Sequence, residues 1–123
     1  MIYRTMLAIA AVAMLATACK KGQSLTCADK IRNLKGDASK VGASFNVSCP
    51  ASCKNTVYGS EKYTTDSSIC TAAVHAGVIK ADKGGSATVT IVKSNPKYEG
   101  TEANGVTTRS WSSSWGATAF QVK

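Results

Sequence analysis

The 123-residue chain has few of the side chains from which catalytic and metal sites are usually built. It has one histidine, His75, whereas zinc sites take three or four ligands from the protein. Its seven acidic residues are scattered, which leaves little material for the paired carboxylates of a glycosidase. The CPASC segment separates Cys49 from Cys53 by three residues, not the two of thioredoxin-like redox motifs. We therefore predict a protein that is not an enzyme and that uses no metal or cofactor.

The chain also lacks internal repeats, low-complexity blocks and interior linkers after Thr26, which predicts one domain. The apolar run at residues 6–15 is too short to be a membrane-spanning helix. Arg4 precedes this run, and a site with small residues at the cleavage positions, A-x-A at residues 16–18, follows it. These features predict a secretory signal peptide over residues 1–18.

Cys19 stands directly after the predicted cleavage position and resembles the lipid-modified cysteine in the lipobox of bacterial lipoproteins. That family prefers leucine three residues earlier, where this chain has Ala16, so plain secretion through the A-x-A route stays an alternative. The odd total of five cysteines favours lipidation, because setting Cys19 aside leaves an even number for two disulfides. The remaining four are Cys27, Cys49, Cys53 and Cys70.

Residues 19–24 are accordingly expected to form a short lipid-anchored tether at the bacterial cell envelope. Lys20 occupies the position where aspartate retains lipoproteins in the inner membrane of enteric bacteria, so the outer membrane is the expected location. Without the lipid, the protein is expected to be secreted or periplasmic.

Positive charge is in excess over the mature chain. Removal of Arg4 with the signal peptide leaves 14 basic and 7 acidic side chains, a net charge of +7. Such a charge favours anionic lipid headgroups or acidic glycans, and export argues against a nucleic-acid partner. Six basic residues lie within the first 22 mature positions: Lys20, Lys21, Lys30, Arg32, Lys35 and Lys40. The alternative is that these charges only keep the protein surface hydrated and bind no anionic partner.

Alternating polar and apolar residues predict several short strands. The predicted strands lie in ASFNVSCP, NTVYGS, GGSATVTIVK and ATAFQVK. In GGSATVTIVK, Ala87, Val89 and Ile91 share one face, while the Asn104-Gly105 pair is typical of a hairpin turn. Short strands around one helix predict an α+β fold with antiparallel sheet.

The segment SSICTAAVHAGVI predicts that helix. Asp66 and Ser67 are suitable N-caps, and Gly77 is placed to end the helix. Between them, apolar residues cover almost the whole circumference and leave Ser68, Thr71 and His75 polar. A helix that is apolar nearly all round is expected to be buried among the strands.

Nine residues around this helix fit the signature Y-x3-S-x-I-C-x-A-A-x-H-x-G-x-I of the LCCL domain, named for Limulus factor C, cochlin and a late-gestation lung protein. They are Tyr63, Ser67, Ile69, Cys70, Ala72, Ala73, His75, Gly77 and Ile79. The resemblance covers residues 25–123, which are predicted to be an LCCL domain. It implies a central helix wrapped by antiparallel strands, disulfides Cys27–Cys49 and Cys53–Cys70, and no catalytic residues. It also implies an extracellular binding role, with lipopolysaccharide or other glycans as proposed ligands.

Two kinds of candidate site residue remain. His75 is predicted to be structural, because its neighbour Cys70 is expected to be oxidised and no second histidine exists. In TRSWSSSWG, Arg109 and Trp111 are candidates for contact with sugars, whereas Trp115 is expected in the core.

The sequence thus predicts a non-catalytic, envelope-anchored module that binds anionic glycan or lipid headgroups such as lipopolysaccharide. The alternative is a protein–protein adaptor or structural lipoprotein of the envelope.

Overall fold

The computed structural model describes residues 22–123. The predicted signal peptide and the first half of the predicted tether, residues 19–21 with Cys19, lie outside the described residues. The elements are β1 (Gln23–Ser24), a 3₁₀ turn (Ile31–Asn33), β2 (Ser44–Cys49), β3 (Tyr63–Thr64), α1 (Ile69–His75), β4 (Gly85–Lys93), β5 (Glu102–Ala103), β6 (Val106–Thr107) and β7 (Thr118–Val122). No helix within this part of the chain is both long and apolar enough to cross a bilayer.

Five strands form one sheet in the order β1-β2-β4-β7-β3, and β5 and β6 form a separate hairpin across the Asn104-Gly105 turn. All pairs are antiparallel except β1 with β2. The predicted α+β class with one short helix, antiparallel strands and two disulfides is therefore confirmed. The parallel strand β1 was not predicted: Gln23 and Ser24 pair with Val47 and Ser48 and belong to the sheet, so the expected tether is wrong at these two residues.

Strand β4 is central in the sheet, and its alternating side chains create the core. Ala87, Val89 and Ile91 are buried, as predicted, while the intervening residues are partly exposed. Val89 pairs with Val122 of β7, and Ile91 pairs with Phe120. Because successive side chains of a strand point to opposite faces, this register collects the apolar side chains on the face that meets α1.

Helix α1 is buried along its whole length, as its composition predicts. Ser68 is its N-cap, accepting a hydrogen bond from the Thr71 amide at 3.2 Å, so the assignment of the cap to Asp66 or Ser67 is wrong by one or two positions. Gly77 ends the helix with a φ of +79°, and the amides of Gly77 and Val78 donate to Val74 and Ala73. That pair of bonds is the Schellman motif, in which a left-handed residue satisfies the last carbonyls.

The disulfides join Cys27 to Cys53 and Cys49 to Cys70, so the pairing implied by the resemblance is wrong. Side-chain alternation along β2 gives the reason. Cys49 follows Val47 onto the buried face, where the wholly buried Cys70 of α1 lies with its Cα 5.5 Å away. Cys27 is left to pair with Cys53, at a Cα–Cα distance of 5.0 Å. The helix is therefore bonded to the sheet and not to the loop that precedes it.

The predicted strand in NTVYGS is reduced to two isolated bridges. Tyr58 pairs with Arg109 in parallel, and Gly59 pairs with Tyr63 in the antiparallel sense. This segment therefore joins the sheet-forming part of the chain to the loop after β6, and does not extend the sheet.

Disulfide mapping tests the crossed pairing. Trypsin and elastase together, without reduction, are expected to separate Cys49 from Cys53 by cleavage after the exposed Ala51. Mass spectrometry should then find the Cys27 peptide linked to the Cys53 peptide, and the Cys49 peptide linked to the Cys70 peptide. A Cys27 peptide linked to Cys49 would contradict the arrangement described here.

Two glycines with the same backbone angle provide a test of the turn before β4. Gly84 and Gly116 both have a φ of +69°, but a Cβ on Gly84 would lie 2.3 Å from the Cys49 carbonyl oxygen, whereas Gly116 has open space around it. Gly84→Ala should therefore lower the free energy of unfolding by about 2 kcal/mol more than Gly116→Ala, because the backbone must move. Urea denaturation measures both, and equal losses would show that the close approach has no cost.

Candidate functional site

His75 is buried in the core. Its side chain is 4 % exposed, and both ring nitrogens have hydrogen-bond partners. Nδ1 lies 2.9 Å from the hydroxyl of Tyr63, and Nε2 lies 3.0 Å from the Oγ1 of Thr101. Its sequence neighbour Cys70 is in a disulfide and cannot act as a thiolate nucleophile. The pair that the sequence places together, histidine and cysteine, therefore has no nucleophilic chemistry in this fold.

Tyr63 supports the same network. Burial raises the pKa of its phenol to about 12, and the nearby charge of Glu61 acts in the same direction. The phenol therefore stays protonated across the physiological range and can donate its proton to Nδ1 of His75. Among residues 22–123, no group of three or more histidine, cysteine or acidic side chains is arranged to hold a metal ion.

A small cleft is lined by aromatic rings on the surface. Its lining residues are Tyr58, Thr64, Asp66, Trp111 and Trp115, and its volume is about 130 Å³; we call it the aromatic cleft. The centroids of the Tyr58 and Trp111 rings are 5.9 Å apart, and those of Trp111 and Trp115 are 5.6 Å apart, both pairs in edge-to-face geometry. This is a favourable arrangement of aromatic quadrupoles, so the rings hold one another in place.

Both tryptophans are accessible to a ligand. Trp111 is 38 % exposed and Trp115 is 39 % exposed, so the prediction of Trp115 as a core residue is wrong. The core beneath this region is filled by β7, whose Ala119, Phe120 and Val122 are buried. Trp115, in the loop before β7, packs against Trp111 at the surface.

Asp66 lies at one wall of the aromatic cleft and is held by a series of hydrogen bonds. The Tyr58 amide donates to Ser67 Oγ at 2.9 Å, and Ser67 Oγ lies 2.8 Å from Thr64 Oγ1. Thr64 Oγ1 donates in turn to Asp66 Oδ1 at 2.6 Å. This is the one side-chain donor that the described residues give to the carboxylate, so its second oxygen can accept a hydrogen bond from a ligand.

The same carboxylate also lines a second depression, of about 230 Å³, on its other side. We call this depression the polar hollow; it is lined by Ala28, Lys30, Asn55, Thr56, Asp66 and Ser68. Asp66 is thus a wall shared by two surface concavities of different chemistry.

Arg109 is exposed and is not one of the residues that line the aromatic cleft. Its amide donates to Val57, its carbonyl accepts from Gly59, and it is the bridge partner of Tyr58. Bridge partners share a face, so Arg109 lies on the face of Tyr58. Residues two apart in an extended segment also share a face, so Trp111 lies on it too. The two predicted sugar contacts, Arg109 and Trp111, are therefore neighbours. Sequence reasoning missed Tyr58, Thr64 and Asp66, because no local pattern indicates a bridge between residues 51 positions apart.

Residues 30–40 form an exposed basic stretch, which we call the basic segment. Its basic residues are Lys30, Arg32, Lys35 and Lys40, against one acidic residue, Asp37. Ile31 and Leu34 are buried and anchor the segment to the core. The side chain of Gln23 in β1 fixes it further, since Nε2 donates to the Lys35 carbonyl at 2.9 Å and Oε1 accepts from the Lys35 amide at 2.7 Å.

Known proteins match most of this domain. The family model of the LCCL domain matches residues 25–118. Cysteine-rich secretory protein LCCL domain-containing 2 from Homo sapiens is 38 % identical over 82 residues, which cover 62 % of this chain and 16 % of that protein. Vitrin from Homo sapiens is 43 % identical over 65 residues, 50 % of this chain and 9 % of vitrin. Cochlin from Homo sapiens is 38 % identical over 79 residues, 59 % of this chain and 14 % of cochlin. The chain therefore spans less than a fifth of the length of these relatives.

The hydrogen bond between Tyr63 and His75 can be tested by stability measurements. Tyr63→Phe removes the hydroxyl and leaves a buried ring nitrogen without its partner, so it should lower the free energy of unfolding by about 1–3 kcal/mol. Because the folded-state pKa of Tyr63 is raised, the native chain should also lose stability as the pH rises from 10 towards 12. Tyr63→Phe should lack that contribution. Tyr58→Phe is the control, expected to change stability by less than about 0.5 kcal/mol. Equal effects of the two substitutions would contradict the role of the buried hydroxyl.

Proposed function

This chain belongs to the LCCL domain family, and from that premise we propose that it is a non-catalytic, envelope-anchored binding module. Its basic segment contacts anionic glycans or lipid headgroups, such as those of lipopolysaccharide. The observation that carries the proposal is the fixed position of this segment against β1, at the end of the domain where the predicted lipid anchor enters.

The chemistry of the core supports the proposed lack of catalysis. The lone histidine has both ring nitrogens engaged by hydroxyl groups, and the cysteine nearest to it in sequence is oxidised. A nucleophile needs an adjacent free base, and a metal-activated water needs three or more protein ligands. No such group of metal ligands is assembled among residues 22–123. Two disulfides in a domain of this size are also typical of proteins that act outside the reducing cytosol.

The position of the basic segment supports contact with a membrane surface. Gln23 is four residues after Cys19, so a lipid on Cys19 would keep β1 within about 14 Å of the bilayer surface. The double hydrogen bond from Gln23 to Lys35 brings the basic segment to the same end of the domain. Lysine and arginine side chains close to an anionic membrane contribute about 1 kcal/mol each to binding. The outer membrane is the proposed location.

A protein–protein adaptor is the second candidate function, and one observation favours it. Two adjacent tryptophans are more than a third exposed, and tryptophan is enriched at the centres of protein interfaces. A crosslinking pull-down that returns one partner in stoichiometric amount, lost in Trp111→Ala, would support the adaptor.

Salt-dependent binding tests the proposed function. The full exported chain should bind lipopolysaccharide and vesicles that contain anionic lipid, bind zwitterionic vesicles more weakly, and lose affinity as salt is raised. Replacing Lys30, Arg32, Lys35 and Lys40 by glutamine should weaken binding at least about tenfold. The matched control replaces Lys80, Lys83, Lys93 and Lys123, which removes the same charge elsewhere. Equal losses in the two variants would show that only net charge matters, and an absence of binding would reject this ligand class.

A further inference from the structure

We propose that the aromatic cleft binds one uncharged pyranose ring of a glycan, with a ring hydroxyl donating to Asp66. The inference rests on the proposed function, because it assigns a second, chemically distinct ligand site to the same binding module. The basic segment attracts negative charge, whereas the aromatic cleft selects a neutral sugar.

The tryptophans provide the stacking surface. A pyranose ring has an apolar face of C–H groups, which packs against an indole as other apolar groups do, while its hydroxyls remain at the edge. The planes of Trp111 and Trp115 are 86° apart, so they form a corner in which one ring lies under the sugar and the other lies at its side. Both are more than a third exposed in the free protein, and a bound ring would cover that surface.

One side of the corner, Trp111, is held in place by the protein before any ligand binds. The backbone of Trp111 exchanges two hydrogen bonds with Tyr98, at 2.8 and 2.9 Å, and its indole packs edge-to-face on Tyr58. A site whose rings are fixed in advance loses less conformational entropy when a ligand binds.

Asp66 determines which sugars fit. A carboxylate only accepts hydrogen bonds, and sugar hydroxyls donate them, so the oxygen that Thr64 leaves free is matched to a hydroxyl. A uronate, sulfate or phosphate group in the same place would lie against a like charge, which costs affinity. At the position next to Asp66 the aromatic cleft therefore disfavours an anionic group, even though Arg109 lies on the same face and the chain as a whole is strongly basic.

The size of the aromatic cleft limits the ligand to one ring. Its volume of about 130 Å³ lies well below the 300–1,000 Å³ or so that is usual for pockets of drug-sized ligands. A longer glycan would place one sugar residue in the aromatic cleft, and the rest of the glycan would extend along the protein surface. Contacts with a single ring correspond to dissociation constants of about a millimolar, so the measurement must detect weak binding.

The test is a titration of the full exported chain with neutral and charged sugars, followed by tryptophan fluorescence and NMR. The neutral probes are maltotriose, cellotriose, mannotriose and triacetylchitotriose, and the charged probes are trigalacturonate and a heparin oligosaccharide. We expect saturable binding of at least one neutral trisaccharide that is insensitive to salt. Trp111→Ala or Trp115→Ala should weaken it at least tenfold. Asp66→Asn should weaken it about fivefold and narrow the preference for neutral over uronate sugars, which a purely structural role of Asp66 would not do.

Matched controls separate binding from folding. Val41→Ala removes another exposed apolar side chain, and Asp82→Asn removes another exposed carboxylate; both should bind as the native chain does. Thermal unfolding of every variant identifies any that fail to fold, and Trp115→Ala, in an exposed loop, is the variant most tolerant of truncation.

The outcomes distinguish this inference from the proposed function. The inference is overturned if no neutral sugar binds, if binding survives the substitutions in the aromatic cleft, or if the tryptophans instead bind a protein partner. Salt-sensitive binding of polyanions to the basic segment would then still stand on its own. Conversely, neutral-sugar binding that persists when the four basic residues are replaced would support the aromatic cleft even where polyanion binding fails.

Discussion

The enclosure of helix α1 on every side is the constraint on which the rest of the structure depends. Seven residues give a helix too short to be stable alone, so its stability must come from its surroundings. Ala72 and Ala73 allow the surrounding chain to approach closely, while β7 and the β5–β6 hairpin supply much of the packing. Each polar group that the helix brings into the core then needs a partner, because an unsatisfied buried group costs about 1–3 kcal/mol.

Those partners come from distant parts of the chain. The Thr71 hydroxyl accepts from the Asn55 amide, the Ser68 hydroxyl donates to the Cys27 carbonyl, and the His75 carbonyl accepts from Asn104. The disulfide at Cys70 adds a covalent connection to β2. The helix is therefore a point at which the segments around Cys27, Asn55 and Asn104 are attached to the core.

Features with a local cause were predictable from the sequence, and features with a distant cause were not. Alternation predicted the buried faces of β2, β4 and β7, and the composition of residues 69–75 predicted a buried helix. Both predictions were possible because burial on one face, or on all faces, imposes a pattern of apolar residues on the local sequence. The parallel pairing of Gln23 and Ser24 could not be predicted in this way, because two residues are too few to show such a pattern. Trp115 has a large apolar side chain of the kind often found in a core, and its exposure depends on which other residues already fill the core. The aromatic cleft requires Tyr58, Asp66 and Trp111 to meet, and their meeting is decided by a bridge between remote segments.

Asp66 forms a wall of both the aromatic cleft and the polar hollow, so ligands in the two concavities would not bind independently of each other. A hydroxyl that binds the Asp66 carboxylate in one concavity would change the charge density and the rotamer of that side chain. A ligand in the other concavity would then contact an altered carboxylate. Any group bound near Lys30 in the polar hollow would in turn change the affinity of the aromatic cleft, and by linkage the effect must be equal in both directions. The sign of this cooperativity would differ between glycans, since a cationic substituent and an anionic one place opposite charges beside the same carboxylate. If one glycan placed neighbouring groups in both concavities, this single side chain would couple the two contacts.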